Sequence, residues 1–239
     1  MQNTELLMGI NALSEVLRVN KNKIVKVFVE NRAHSKRKAE FIRELEKHKV
    51  SIKYIDKKGL ERKVLSDSHQ SFVAEVKRKY LSLQDCLQKN SDFLLLLDGI
   101  TDPHNFGAIL RASECFKVDG VIYSKNKGCP VTPVVTKVSS GASELIDLVR
   151  VSNLHDTILK LKKSGYTIVA SDCSVESVDM YSFERPEKMV FILGSEGKGV
   201  SQLLKRNADY LVHIPMKGQI DSLNVSQAAA CFLSYFASR

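Results

Sequence analysis

The feature that most constrains the fold is a continuous apolar run, Phe93–Leu97 (FLLLL), which has no polar residue on either face. A strand of this kind has to be buried on both faces, and this is typical of a parallel sheet covered by helices. Four further strand patterns follow it, at residues 120–123, 167–170, 189–193 and 211–214. Helical patterns cover residues 107–116, 154–163, 200–206 and 225–236. Strands that alternate with helices predict an α/β fold with a mostly parallel sheet.

The beginning of the chain carries a smaller α/β pattern of its own. Helical periodicity covers residues 10–19, 35–49 and 57–65, and strand patterns cover 24–30, 50–55 and 71–76. In the strand at 24–30, the alternation predicts that Val25, Val27 and Val29 share one face. Residues 77–92 are polar and without a clear strand period, which is typical of a linker. The sequence therefore predicts a small domain at 1–76, a linker at 77–92 and a larger domain at 93–239.

The excess of basic charge lies entirely in the first third of the chain. Residues 1–80 contain 19 Lys and Arg against 10 Asp and Glu, whereas residues 81–239 contain 17 of each kind. Such an asymmetry indicates that the first domain meets a polyanion, and nucleic acid is the obvious candidate because phosphate contacts give affinity without sequence specificity. A basic surface that is merely solvated is the alternative interpretation.

Composition excludes several classes of protein. No apolar stretch approaches the roughly 18 residues of a membrane-spanning helix, and the N-terminal residues do not resemble a secretory signal. The five cysteines are scattered and never form C-x-x-C, and the six histidines show no ligand spacing. We therefore expect a cytoplasmic protein in a reducing compartment, with no metal site, disulfide framework or membrane partner.

The first of three chemically informative loops follows the apolar strand, within residues 94–116. It contains Asn105, Gly107 and Arg111 at the spacing N-x-G-x-x-x-R. Gly107 allows close backbone approach, and the planar guanidinium of Arg111 suits a phosphate. The simpler alternatives are that Asn105 caps a helix and that Arg111 is a surface residue.

The second loop, residues 191–201 (FILGSEGKGVS), resembles a phosphate-binding loop but fails both standard patterns. A Walker A motif requires Lys after its second fixed glycine, and here Gly199 is followed by Val200. The G-x-G-x-x-G pattern is also absent. What remains is a glycine turn around a single carboxylate, Glu196, and this favours a ligand-binding loop.

The third loop lies within residues 213–236 and leads from a strand, through a polar turn, into a helix. Either Ser222 or Asn224 is a plausible N-cap for that helix. The helix begins with a set of small residues that includes Ala228, Ala229 and Ala230. Small side chains at these positions indicate that another segment packs very close to the helix.

Taken together, the three loops closely resemble the SpoU (TrmH-type) branch of the SPOUT RNA ribose 2'-O-methyltransferases over residues 91–239. The matching motifs are D-G-x-x-D-P-x-N-x-G-x-x-x-R, L-G-S-E-G-x-G and I-P-M-x-G-x-x-x-S-L-N-V-S. In the first domain, MGINALSEVL, KVFVE and SHQSFVAEV look like the small L30e-like substrate-binding domain of one subgroup. That subgroup modifies a guanosine ribose in the peptidyl-transferase region of large-subunit rRNA. Ser71, Phe106 and Gln227 depart from the subgroup's usual residues.

The resemblance implies a catalytic domain with a C-terminal trefoil knot that binds S-adenosylmethionine, and a homodimer with the active site near its interface. It implies that the cofactor is contacted by Gly194, Ile214 and Leu223, with Met216 and Gly218 nearby. Arg111 is the family's central catalytic residue, either as the base or as a group that binds phosphate and stabilises the alkoxide. Glu196 is the alternative base, Asn105, Ser222 and Asn224 position the ribose, and no metal is needed.

Several alternatives remain open at the level of sequence. Resistance-type members of the family methylate another rRNA site, and members that act on tRNA typically lack the additional N-terminal domain. A non-catalytic RNA-binding protein would be expected to have lost Arg111, Glu196 or Asn224, and all three are present. A nucleotide hydrolase that uses residues 194–201 is disfavoured because the Lys is missing.

Overall fold

A computed structural model of the chain describes residues 4–31, 35–89 and 91–238; His34, one of the six histidines considered above, lies outside these ranges. The chain divides into two compact units. The first comprises residues 1–79 and 131–145, and the second comprises residues 80–130 and 146–239. Among the described residues, no helix is sufficiently long and apolar to cross a membrane.

The N-terminal part of the first unit is a four-stranded sheet with three helices. In chain order its elements are β1 (Thr4–Met8), α1 (Ile10–Asn20), β2 (Ile24–Glu30), α2 (Lys36–Lys47), β3 (Ile52–Ile55), α3 (Lys57–Val64) and β4 (Phe72–Lys77). The strand order is β1-β4-β2-β3, in which β2 and β3 are parallel and the other pairs antiparallel. The predicted helices and strands are confirmed within a few residues, and β1 was not predicted.

Strand β2 does not alternate along its whole length. A shift of register between Ile24 and Lys26 in its pairing with β4 leaves Val25 39% exposed. Val27 and Val29 are buried, as predicted, but Phe28 is buried as well, in a second cluster on the other side of the sheet. The prediction for Val25 was therefore wrong, because a bulge moves this residue out of the alternating pattern.

Ser71, one of the departures from the related subgroup, occupies a backbone conformation that favours glycine. Its φ is +70°, in the left-handed region, and the residue is buried. The hydroxyl donates to Glu30 Oε2 at 2.5 Å and accepts from Lys38 Nζ at 2.5 Å. These two bonds from a serine side chain offset the strain that its Cβ introduces.

The remaining elements follow in chain order. They are α4 (Leu83–Gln88), β5 (Phe93–Asp98), α5 (Pro103–Cys115), β6 (Gly120–Ser124), α6 (Pro133–Val138), β7 (Asp147–Val151), α7 (Leu154–Lys163), β8 (Thr167–Ser171), β9 (Val178–Asp179), β10 (Met189–Gly194), α8 (Gln202–Lys205), β11 (Tyr210–His213) and α9 (Val225–Ala237). Three short 3-10 helices cover Lys21–Lys23, Ala142–Glu144 and Met180–Ser182.

The second unit is built on a seven-stranded sheet in which every pair is parallel. The strand order is β7-β6-β5-β10-β8-β11-β9, with β5 among the inner strands. Leu94, Leu95 and Leu96 in β5 are fully buried. The mostly parallel α/β fold predicted from this apolar run is therefore confirmed.

Helix α5 begins four residues before the predicted start at Gly107. The N-cap is Asp102, whose Oδ1 accepts from the backbone N–H of Asn105 at 2.8 Å, and Pro103 occupies the first helical turn. A capping aspartate followed by proline is a strong start signal. Asn105 is consequently not the cap, and its side chain is available for other contacts.

The stretch at 77–92 contains more structure than its polar composition suggested. Leu83–Gln88 forms α4, which Ser82 caps by accepting from the backbone N–H of Asp85 at 3.0 Å. Ahead of the helix, the backbone N–H of Leu81 donates to the carbonyl of Leu148 at 2.9 Å. Elements α4, α6, β7 and β9 were not predicted, and the role of residues 77–92 as an interdomain linker stays a prediction.

A segment distant in sequence completes the first unit. Residues 131–145, which include α6, belong to that unit although they lie between β6 and β7. Val134 of α6 packs against the cluster that contains Met8. Arg78 forms ion pairs with Glu5, at 2.5 Å, and with Glu144, whose side chain is only 2% exposed. The first unit is therefore held together partly by a buried charge cluster.

This cluster predicts that Arg78→Ala destabilises the first unit by about 3–5 kcal/mol, because Glu144 is left buried without its ion-pair partner. Arg18→Ala is a matched control, since Arg18 pairs with Glu15 at 2.7 Å on an exposed surface; we expect its effect to stay below about 1 kcal/mol. Urea unfolding followed by circular dichroism measures both variants. Equal destabilisation would contradict the importance of the buried pair.

Candidate active site

One cavity of the second unit lies at the carboxyl ends of three neighbouring strands. Ser171, Gly194 and His213 are the last residues of β8, β10 and β11, and all three line this cavity of about 650 Å³. Ligands of doubly wound parallel sheets bind at this edge. We call it the cofactor cavity below.

Four of the five residues predicted to contact a cofactor line the cofactor cavity: Gly194, Ile214, Met216 and Leu223. The fifth, Gly218, is exposed and is not among the lining residues. A Cβ at Gly218 would meet only a backbone nitrogen, at 4.0 Å. Nothing in this structure therefore requires glycine at position 218.

The end of β10 has to be glycine because the following loop folds back onto it. A Cβ at Gly194 would lie 2.0 Å from the carbonyl carbon of Gly199 and 2.1 Å from the nitrogen of Val200. The loop is closed by the backbone N–H of Gly199, which donates to the carbonyl of Ser195 at 2.9 Å. Gly197 and Gly199 both have positive φ. The glycine turn suspected from the sequence is therefore a compact loop at the edge of the cavity.

Three polar side chains predicted from separate loops meet beside this turn. Glu196 Oε1 accepts from Asn105 Nδ2 at 3.1 Å and from Asn224 Nδ2 at 2.5 Å. Asn224 Nδ2 also approaches Asn105 Oδ1 at 3.1 Å. We refer to Asn105, Glu196 and Asn224 as the amide–carboxylate cluster. Among the described residues, Glu196 Oε2 has no hydrogen-bond donor.

The orientation of the Asn224 side chain follows from its role as the N-cap of α9. Its Oδ1 caps α9 by accepting from the backbone N–H of Ser226 at 2.8 Å and from the Ser226 hydroxyl at 2.6 Å. The amide nitrogen is therefore directed to Glu196. Ser222, the other candidate cap, donates its hydroxyl to Asp221 Oδ1 at 3.1 Å and lines the cofactor cavity.

Arg111 lies further along α5 and is exposed. No hydrogen bond or ion pair links its guanidinium to another residue in the described part of the chain. The structure thus joins Asn105, Glu196 and Asn224 directly but does not join Arg111 to them. A planar cation without a protein partner is available to an anionic ligand.

Two further pairs at the cofactor cavity were missed by the sequence analysis. Lys205 Nζ contacts Asp172 Oδ1 at 2.5 Å. Burial opposes ionisation of Asp172, but hydrogen bonds from Lys205 and Ser174 outweigh it and hold the pKa of this carboxyl below its ordinary value. The only sequence signal for Asp172 is its position directly after a buried strand.

His213 belongs to the second of these pairs. Ser177 Oγ lies 2.9 Å from His213 Nδ1 and donates its proton to the carbonyl of Ser174 at 2.6 Å. Since a hydroxyl has one proton, Ser177 has to accept from His213. In this arrangement Nδ1 of His213 is the donor of the hydrogen bond to Ser177.

The described residues contain no group of three or more His, Cys, Asp or Glu side chains placed to hold a metal ion. All five cysteines are free thiols. Burial raises the pKa of Cys86 and of Cys129 to about 11, with further contributions from Asp147 and Asp102, respectively. Cys115, Cys173 and Cys231 are exposed, and Cys173 lines the cofactor cavity.

The tight turn predicts that Gly194→Ala lowers the affinity for S-adenosylmethionine by about tenfold or more, because the added methyl group has to displace residues 195–200. Gly197→Ala is the control: its Cβ would meet nothing within 4 Å, although its φ of +75° costs some strain. Isothermal titration calorimetry measures both variants. Unchanged affinity for S-adenosylmethionine in Gly194→Ala would contradict the idea that the close packing of residues 195–200 on Gly194 shapes the cofactor cavity.

Alkylation of the cysteines tests the location of the cavity without a catalytic assay. At pH 8 we expect iodoacetamide to modify the three exposed thiols much faster than Cys86 and Cys129, whose pKa near 11 leaves little thiolate. Saturating S-adenosylmethionine should slow modification of Cys173 but not of Cys115, as followed by peptide mass spectrometry. Equal protection of both cysteines would indicate a global effect and argue against this location.

Comparison with known proteins shows which family the chain belongs to. The family model described as SpoU rRNA Methylase family matches residues 92–234, and the model for RNA 2'-O ribose methyltransferase substrate binding matches residues 6–81. The chain is 33% identical over 235 residues to the 23S rRNA (guanosine-2'-O-)-methyltransferase RlmB of Haemophilus ducreyi, covering 96% of both proteins. It is 36% identical to the protein of the same name from Vibrio vulnificus, covering 96% of this chain and 94% of that protein.

Solved structures share the fold. The SpoU methyltransferase AviRb from Streptomyces viridochromogenes, in complex with the cofactor AdoMet, matches with a TM-score of 0.81 and 24% identity, covering 98% of this chain and 89% of AviRb. An AdoMet-bound rRNA methyltransferase from Sinorhizobium meliloti matches with a TM-score of 0.82 and 22% identity, covering 98% and 87%. The family model covers more than half of the chain and the curated relatives cover nearly all of it: the chain belongs to the SpoU rRNA methylase family.

Proposed function

We propose that this protein transfers a methyl group from S-adenosylmethionine to the ribose 2'-hydroxyl of a guanosine in large-subunit (23S) rRNA. The observation that carries the proposal is the amide–carboxylate cluster, in which three separate loops bring Asn105, Glu196 and Asn224 together beside the cofactor cavity. The choice of substrate is supported by relatives named for this reaction, which align over nearly their whole length.

The cofactor cavity fits S-adenosylmethionine in size and in chemistry. Its volume of about 650 Å³ lies within the range that is usual for small-molecule sites. Ile214, Met216 and Leu223 supply apolar surface, and Gly194 allows close approach of the backbone. When bound, the cofactor supplies an electrophilic methyl group on a sulfonium. We propose that Gly218, in the exposed turn beyond Met216, lies near the bound cofactor.

We propose that Glu196 removes the hydroxyl proton. Its Oε1 is held by two amide donors, while Oε2 has no donor among the described residues and is the oxygen available to accept a proton. Asn105, Asn224 and Ser222 orient the ribose at this carboxylate. Arg111 binds an adjacent RNA phosphate and stabilises the developing alkoxide.

The domain organisation, the location in the cell and the oligomeric state are likewise part of the proposal, and they follow from the family to which the chain belongs. Residues 1–76 bind RNA through an L30e-like domain, residues 77–92 connect the domains, and residues 93–239 form the catalytic domain. The C-terminal trefoil knot is proposed from the family resemblance, and the position of β10 between the earlier strands β5 and β8 is compatible with it. The protein acts in the cytoplasm, where rRNA is modified, as a homodimer whose interface lies near Arg111.

The proposal predicts that radiolabelled S-adenosylmethionine transfers its methyl group to unmodified large-subunit rRNA, with the label on one guanosine ribose. Arg111→Ala should abolish transfer. Glu196→Gln preserves the shape of the side chain but removes its basicity, and we expect kcat to fall by about 100-fold or more with cofactor affinity nearly unchanged. Primer extension of the product locates the methyl group.

Each other outcome decides against part of the proposal. Label on tRNA alone would keep the chemistry and reject rRNA as the substrate, and label at another nucleotide would indicate a resistance-type target. An unchanged kcat in Glu196→Gln would reject Glu196 as the base and leave Arg111 as the candidate. Failure to bind S-adenosylmethionine would favour the interpretation as a non-catalytic RNA-binding protein.

A further inference from the structure

A second cavity of about 660 Å³ lies beside the cofactor cavity and shares part of its wall. Ser195, Glu196, Lys198, Gly199 and Val225 line both cavities. The second cavity extends away from them to the loops that follow β5 and β6. Glu196 therefore lies at the junction of the two cavities, where a group bound in the second would meet a methyl donor bound in the first.

The loop after β6 is held rigidly at this second cavity. The hydroxyl of Ser124 accepts from the backbone N–H groups of Asn126 and Lys127, both at 3.2 Å. A Cβ at Gly128 would lie 2.7 Å from the carbonyl oxygen of Ser124, so the chain turns tightly there. The backbone N–H of Cys129 donates to the carbonyl of Ile100 at 2.8 Å. These hydrogen bonds and the tight turn therefore define the backbone conformation at Lys127.

Lys127 lines the cavity and is exposed. Within the described ranges it forms no ion pair, although Asp98 and Asp102 line the same cavity. Each of those carboxylates accepts a hydrogen bond from the backbone and does not pair with Lys127: Asp98 Oδ2 accepts from the backbone N–H of Ser201 at 2.9 Å, and Asp102 Oδ1 caps α5. Lys198, on the shared wall, likewise forms no ion pair with a described residue. Because Asp98, Asp102 and Glu196 line the same cavity, its net charge does not favour an anion; what is available to a phosphate is the two lysine ammonium groups, neither of which is committed to an ion pair.

We propose that Lys127 is a positioning residue that binds an RNA backbone phosphate next to the target ribose; this rests on the proposed function. A ribose whose 2'-hydroxyl faces Glu196 carries a phosphate on either side, and a lysine on a long flexible stem reaches such a phosphate as a point charge. Lys198 supplies a second positive charge on the wall near Glu196. By binding this phosphate, Lys127 holds the RNA in one position along its backbone, so that a single ribose faces Glu196.

The test compares Lys127→Ala with Lys125→Ala, because Lys125 is an exposed lysine of the same loop that does not line the cavity. The probe is transcribed, unmodified large-subunit rRNA. We expect Lys127→Ala to raise the KM for RNA by about fivefold or more, with little change in kcat and no change in affinity for S-adenosylmethionine by calorimetry. The slope of log K against log salt concentration for RNA binding should fall by about 1 in Lys127→Ala only.

RNA binding and methylation are measured separately, so a failure of the proposed function can be distinguished from a failure of the role of Lys127. Equal behaviour of the two lysine variants, or a loss of cofactor affinity in Lys127→Ala, would overturn the role of Lys127. If the wild-type protein binds the RNA without methylating it, the proposed function fails, while the salt dependence still decides whether Lys127 contacts phosphate. If the wild-type protein does not bind the RNA, both proposals are rejected.

Discussion

The pairing of β5 with β10 is the constraint on which the candidate site depends. In the parallel register of these strands Gly194 lies opposite Asp98, so the loops that follow them start side by side. Gly99 and Ser195, the next residues, remain close to each other, since a Cβ added at Gly99 would lie 3.5 Å from the Cβ of Ser195. This arrangement brings α5, with Asn105, and the glycine turn, with Glu196, to one place. A register shift of one residue would separate them.

The glycine turn after Gly194 forms the wall that the cofactor cavity and the second cavity share. Because the loop after Gly194 folds back on the strand, Glu196, Lys198 and Gly199 form a thin partition instead of an extended flap. Asn224 fixes one side of this partition by capping α9 with its oxygen and holding Glu196 with its nitrogen. The side chain of Asn224 thus links the start of α9 to the carboxylate of Glu196.

Sequence patterns predicted the helices and strands that have a clear apolar pattern and missed the shortest ones. The strands β5, β8 and β10 are continuous apolar runs and were recognised directly. By contrast, β9 has two residues and α6 has six, too few to show a period. Helix α5 starts earlier than predicted because Asp102, and not the candidate cap Asn105, caps it. Residues 131–145 gave no local sign that they pack with the first unit, since that depends on distant partners such as Arg78.

The sequence by itself determined the fold class, the basic character of the first domain and the identity of the loop residues, because apolar periodicity, charge and short motifs are local properties of the chain. Only the tertiary structure decided which of these residues meet. It joins Asn105, Glu196 and Asn224, leaves Arg111 exposed, and places Lys127 in the wall of a second cavity. Such contacts link residues up to 119 positions apart, and they follow from strand register and loop packing, which no short stretch of sequence encodes.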